Sequence, residues 1–209
     1  MGTTSETEHH PRARKDEILD VATHLFAERG YDGTSMSDVA ERVGIRKASL
    51  FYHFTTKDSL YESVLDRLVK RLGLALQGAY TGGGSFAERL DAAADALTTV
   101  LGQRPYAARL ILRESIGLGP ALHGRTLEPM MAALEAGAAF VRAGQDAGEF
   151  VQGDVKQMVL TSLGMHFLPF AIGEVVERYV GTAPFDAGFV AARRTEVCRA
   201  LRKMLVRAA

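Results

Sequence analysis

The chain has 209 residues, 47% hydrophobic and 24% charged, with 25 Lys+Arg balanced by 25 Asp+Glu. This composition excludes a largely disordered chain, and the single cysteine, Cys198, excludes an intrachain disulfide framework and points to reducing, cytoplasmic surroundings. Because the charges cancel, any affinity for a polyanion has to come from local charge placement.

The polar, acidic start from Met1 to Glu8 lacks the apolar core of a signal peptide. Residues 1–11 read as a flexible tail that contains His9 and His10. A basic cluster of Arg12, Arg14 and Lys15 follows, ahead of the first helix. Ile18, Val21, Ala22, Leu25 and Phe26 recur at spacings of three and four, which predicts an amphipathic helix ended by Gly30. A short helix from about Ser37 to Val43 follows, with Ser35 and Asp38 spaced as a capping box and Gly44 as its stop. A second short helix runs from about Lys47 to Phe54. Thr55 to Asp58 then caps a longer helix, about Lys57 to Tyr80, with Leu60, Val64, Leu65, Leu68 and Leu72 on one face. Gly82 to Gly84 break the chain. Helical patterns follow near 85–102, 105–118, 121–147, 154–180 and 187–207, and no segment alternates long enough to be a strand. The expectation is an all-α chain of about nine helices: a helix-turn-helix head over 12–56 and a helical domain over 57–209. The longest uncharged run, Gln157 to Gly173, falls short of the ~20 apolar residues that span a bilayer, so no membrane partner is expected. Pro169 is expected to kink its helix by removing the hydrogen bond to the Met165 carbonyl.

Residues 35–54 carry the functional signal. Ala40 is small enough for two short helices to cross closely, and Val39, Val43, Ile45 and Leu50 are apolar where they would face inward. The exposed positions, Arg46, Lys47, Ser49, Phe51, Tyr52 and His53, supply cationic, hydroxyl and aromatic groups. Such groups serve phosphate contacts, base-edge hydrogen bonds and apolar contact with thymine methyls. Lys57 opens the next helix, where backbone N–H groups favour phosphate. The pattern is compatible with a helix-turn-helix that docks in the major groove or with one used only for protein contacts; the cations Arg46, Lys47 and Lys57 favour DNA.

The stretch from Ile18 through Phe54, continuing to Leu60, resembles the TetR family of bacterial transcriptional regulators. The resemblance covers about 45 contiguous residues, with nearly every signature position occupied. It implies a three-helix DNA-binding head with Lys47 to Phe54 as recognition helix. Lys47, Ala48, Ser49, Phe51, Tyr52, His53 and Lys57 fall where the family contacts operator DNA, and Thr34 and Ser35 where it touches phosphate. Two positions depart from the pattern: Phe51 stands where tyrosine is common, and Ala48 where glycine is common. The resemblance further implies a homodimer through the last two helices, a palindromic double-stranded operator, and a small-molecule effector in the C-terminal domain, most commonly in a repressor.

The later helices offer candidates for that effector site. Arg113 and His166 are polar groups inside apolar patterns, and Met130, Leu134, Leu163, Phe167 and Phe170 offer apolar lining, which suits a largely apolar effector oriented by one or two polar contacts. Val190, Val197, Leu201 and Met204 form a heptad-like seam that reads as part of a dimer interface. Cys198 has no nearby histidine, and no GxSxG, P-loop, HExxH or CxxC arrangement occurs. No catalytic residue, cofactor or metal site is therefore expected.

Overall fold

The computed structural model describes residues 11–117 and 126–207, and every regular element among them is an α-helix. The helices are α1 (Pro11–Arg29), α2 (Met36–Val43), α3 (Lys47–His53), α4 (Lys57–Tyr80), α5 (Phe86–Gln103), α6 (Ala107–Ser115), α7 (Leu127–Asp146), α8 (Val155–Ala171), α9 (Gly173–Val180) and α10 (Ala187–Leu205). Ten helices among the described residues replace the expected nine, because the 154–180 segment is two helices. The expected tail with His9 and His10, and residues 121–125 of the expected 121–147 helix, lie outside the described residues. The chain divides into two units, Met1–Val64 and Leu65–Ala209.

In the first unit, local chemistry sets the helix ends. Asp38 N–H donates to Ser35 Oγ at 3.1 Å while Ser35 N–H donates to the Asp38 carboxylate at 2.8 Å, which closes the capping box of α2. Gly44 ends α2 at φ +76°, and Ile45 N–H then reaches back to the Ala40 carbonyl at 2.9 Å. Thr56 and Ser59 exchange the same pair of bonds, 3.2 and 3.0 Å, at the start of α4. Ile18, Ala22, Leu25 and Phe26 of α1 share the interior with Val39, Leu50, Phe54, Leu60 and Val64. The basic cluster is not an arm ahead of the first helix. Helix α1 already begins at Pro11, so Arg14 and Lys15 lie in its first turns, with Arg14 paired to Glu17 at 2.9 Å and the Lys15 ammonium 5.5 Å from the Phe54 ring centroid.

In the second unit, α5 and α10 pack along each other. Gly102 has no side chain where Val190 approaches; a β-carbon there would stand 2.7 Å from the Val190 methyl. Arg202 grips Asp91 with two nitrogens, 2.5 to 2.9 Å, at the edge of this contact. Leu90, Ala94, Phe140, Val141, Phe150, Val197, Leu201 and Leu205 form the core. The heptad-like seam is therefore corrected. Val197 and Leu201 are fully covered by α5, α7 and Phe150 of the same chain, and Met204 packs partly buried against the same core. The exposed apolar residues of the second unit include Leu160 and Leu168 of α8, Ile172 at the bend, and Val175, Tyr179 and Val180 of α9, besides Leu74, Ile116, Leu127 and Met131 elsewhere.

Pro169 sits inside α8, and the chain turns three residues later, at Ile172–Gly173, where α8 and α9 meet at 80°. The carbonyl of Met165, which the proline leaves without its helical donor, accepts instead from the guanidinium of Arg193 on α10. Gly173 is buried at the bend, where a β-carbon would lie 3.3 Å from Pro184. Among the described residues no single helix is long and apolar enough to cross a membrane.

Candidate nucleic-acid interface and ligand cavity

Helix α3 has two unlike faces. Leu50 is fully buried and, with Phe54 at the C-cap, anchors the helix to the first unit's core. Arg46, Lys47, Ala48, Ser49, Phe51 and Tyr52 are exposed, and His53 is half-buried. Tyr52 is 87% exposed, which leaves both the face of its ring and its phenol open to a partner. The Lys47 ammonium lies 5.9 Å from the Phe51 ring centroid, and the Tyr52 and His53 rings meet edge to face at 5.5 Å. The absence of a hydroxyl on Phe51 thus leaves an apolar ring that carries a cation on one side.

The residues flanking α3 divide by orientation. Ser35 is exposed, but its hydroxyl oxygen already accepts from Asp38. Thr34 is turned inward, 1% exposed, and its hydroxyl lies 2.9 Å from the Gly30 carbonyl and 3.1 Å from that of Leu25. That hydroxyl braces the α1–α2 turn rather than facing solvent. Lys57 is half-buried. Its ammonium donates to the Tyr31 carbonyl at 3.1 Å and sits 4.0 Å from the Tyr31 ring centroid, while the Tyr31 phenol donates to Asp58. Burial, and then Asp58, pushes the Tyr31 phenol up to about 12. Sequence reasoning did not single out Tyr31, because its partners lie a whole helix-turn-helix further along the chain.

The second unit holds a cavity of about 550 Å³ walled by α4, α5, α6, α7 and α8. This volume is in the range of small-molecule sites. Met130, Leu134, Leu163 and Phe167 border it, together with Val69, Leu72 and Leu76 of α4. Among the described residues no charged side chain lines it. Of its hydroxyl groups, that of Ser115 donates within its own helix to Ile111 at 2.8 Å, and the other belongs to Tyr80. Arg113 is half-buried on α6 but does not border the space. Phe170 is buried against Phe185 and Phe189, ring centroids 5.9 and 6.3 Å apart, and does not line it either. His166 borders a smaller recess of about 50 Å³ that shares Leu76, Tyr80, Leu97 and Leu163 with the cavity. The sequence signal for Tyr80 was the α4 stripe itself, which continues from Leu72 through Leu76 at helical spacing.

Residues 18–64 match the family model described as bacterial regulatory proteins, tetR family. Over 48 residues, 23% of this chain and 26% of the relative, the sequence is 58% identical to the biofilm operon icaADBC HTH-type negative transcriptional regulator IcaR of Staphylococcus aureus. The chain thus spans about a quarter of the length of the curated relatives it matches. Across most of its length it has the fold of the ketosteroid transcriptional regulator KstR2 of Mycobacterium tuberculosis (TM-score 0.75, 16% identity, 93% of this chain and 96% of that one). It is similar in the same way to the transcriptional regulator FadR of Bacillus subtilis, solved in complex with stearoyl-CoA (TM-score 0.72, 16% identity, 89% and 96%). Residues 18–64, which carry both the sequence pattern and the two-faced third helix, are thus similar to the DNA-binding head of the tetR family of bacterial regulatory proteins, and the rest of the chain shares the fold of the solved regulators.

Proposed function

We propose that the chain is a cytoplasmic, non-enzymatic transcriptional repressor that binds a palindromic operator as a homodimer and leaves it when a small, largely apolar effector occupies the second unit. The observation that carries this reading is α3. A helix held by a fully buried Leu50 on one side offers Arg46, Lys47, Ser49 and the open phenol of Tyr52 on the other, the groups that read phosphates and base edges. The IcaR of Staphylococcus aureus, a negative transcriptional regulator, matches over this head.

The effector half of the reading rests on the uncharged cavity. An apolar ligand removes hydrocarbon surface from water there, at about 25 cal/mol per Å². Occupancy releases DNA only if the ligand prefers one arrangement of the protein over another. Helix α4 is suited to carry that preference, because it starts in the head at Lys57 and its later turns wall the cavity. The outward apolar residues of α8 and α9 supply the surface for the second copy.

A mobility-shift titration with the DNA upstream of the gene tests the core of the proposal. Saturable, sequence-specific retardation, weakening steeply with salt as phosphate contacts demand, is the expected result. Retardation no stronger than on random DNA would refute it and favour a protein-contact role for α3.

A further inference from the structure

The recess beside the large cavity differs from it in chemistry. Among the described residues its lining includes three side chains with polar atoms, Tyr80, Ser162 and His166, and none with a charge. Ser162 is spent within its own helix, donating to the Met158 carbonyl at 2.8 Å. His166 is 3% exposed, and its Nδ1 lies 2.8 Å from the Ser162 carbonyl oxygen. A carbonyl only accepts, so Nδ1 carries the proton and donates. Burial holds the imidazole below its ordinary pKa; the carbonyls of Ser162 and Ala94 oppose this less strongly, and the Arg193 charge adds to it. The ring is therefore neutral, and Nε2 presents a lone pair. That atom is buried, and no hydrogen bond of normal length and angle reaches it among the described residues, the Ala94 carbonyl acting on the ring without one; folded proteins rarely leave such an atom without a use.

Tyr80 complements it. Its ring is fixed by stacking on Phe140, with centroids 4.5 Å apart and planes 17° apart. Its oxygen lies 3.5 Å from where Gly137 would carry a β-carbon, and both residues border the recess and the cavity alike. Burial pushes the phenol up to about 12, so it stays protonated and able to donate.

We propose that the effector is an uncharged lipophile bearing one hydroxyl group. The hydroxyl enters the recess, donates to Nε2 of His166 and accepts from the Tyr80 phenol, while the hydrocarbon body fills the larger cavity. This rests on reading that cavity as the effector site. A hydroxyl both donates and accepts, whereas an ether or a ketone only accepts and leaves Nε2 unsatisfied. A carboxylate would bring a charge to a lining that, among the described residues, has no opposite charge.

The test uses the full-length protein and Nile red, a neutral dye without N–H or O–H donors, as reporter of occupancy. Decan-1-ol, decyl methyl ether and decanoate at pH 8 compete for it. The alcohol is expected to bind about tenfold or more tightly than the ether, the discrimination that one buried hydrogen bond brings, with decanoate weakest. His166→Leu should abolish the alcohol–ether difference while keeping dye binding, and Tyr80→Phe should reduce it. Should His166→Leu fail to fold, histidine ¹⁵N NMR of the wild-type chain decides. The Nε2 resonance of His166 is expected to move toward the hydrogen-bonded position with decan-1-ol and stay in place with the ether. Equal affinity of alcohol and ether, or an Nε2 resonance indifferent to the alcohol, overturns the inference while dye binding keeps the cavity reading intact. Absence of binding by the dye and by all three competitors overturns both.

Discussion

Leu50 and Tyr52 stand on opposite faces of α3, and replacing each with alanine separates folding from DNA recognition. Leu50 is completely buried between α3 and the rest of the first unit. Truncating it removes the transfer free energy of its side chain and leaves a cavity, for a combined cost of about 2–5 kcal/mol. Tyr52 is 87% exposed, so Tyr52→Ala should change folding stability by no more than about 0.5 kcal/mol. Its loss should instead appear in operator binding. If the ring or phenol meets a base edge or a thymine methyl, the cost is about 1–3 kcal/mol, or about 5- to 150-fold in Kd. Thermal unfolding followed by circular dichroism reads the first quantity, and a mobility-shift titration at fixed salt reads the second. Leu50→Ala should lower the unfolding midpoint clearly; Tyr52→Ala should leave it in place and weaken the operator complex. A Tyr52→Ala protein that folds normally and binds operator within twofold of the parent would refute the assignment of α3 as the reading helix.

Other outcomes follow from the packing. Leu201→Ala should destabilise the second unit by about 2–5 kcal/mol while sedimentation still shows the parent's oligomeric state, because Leu201 faces α5 and α7 of its own chain; dissociation of an otherwise stable protein would contradict that placement. Gly44→Ala should cost about 1 kcal/mol in urea unfolding, since a β-carbon is disfavoured at φ +76°; an unchanged midpoint would count against the left-handed cap. The Ser35 hydroxyl and backbone N–H hold the Asp38 carboxyl below the ordinary aspartate range. A depressed folded pKa means that this contribution is present above the ordinary range and is lost as pH falls through the folded value. Asp38→Asn should therefore flatten the acid limb of the stability curve, and an unaltered limb would show that the box adds nothing there.

Short-range chemistry made the head legible. The capping pair Ser35 and Asp38, the stop at Gly44 and the alternation of Leu50 with exposed neighbours all lie within a few residues of one another, so the sequence carries both the helices and their faces. Periodicity reaches less far in the second unit. The stripe through Val197 and Leu201 states that one side of α10 is covered, but not by what, and only the positions of α5 and α7 show that the cover is the chain's own core. The turn near Pro169 was legible as a missing hydrogen bond. That Arg193, 28 residues beyond Met165, takes up the freed Met165 carbonyl was not, because a guanidinium on a charged helix surface has many possible acceptors. The cavity is the extreme case. Met130, Leu134, Leu163 and Phe167 read as apolar lining, yet the choice of Tyr80 and His166 over Arg113 as its polar neighbours depends on how five helices converge. An apolar stripe records only that a side chain leaves water; which side chains meet around one empty volume is set by packing between segments distant in the chain.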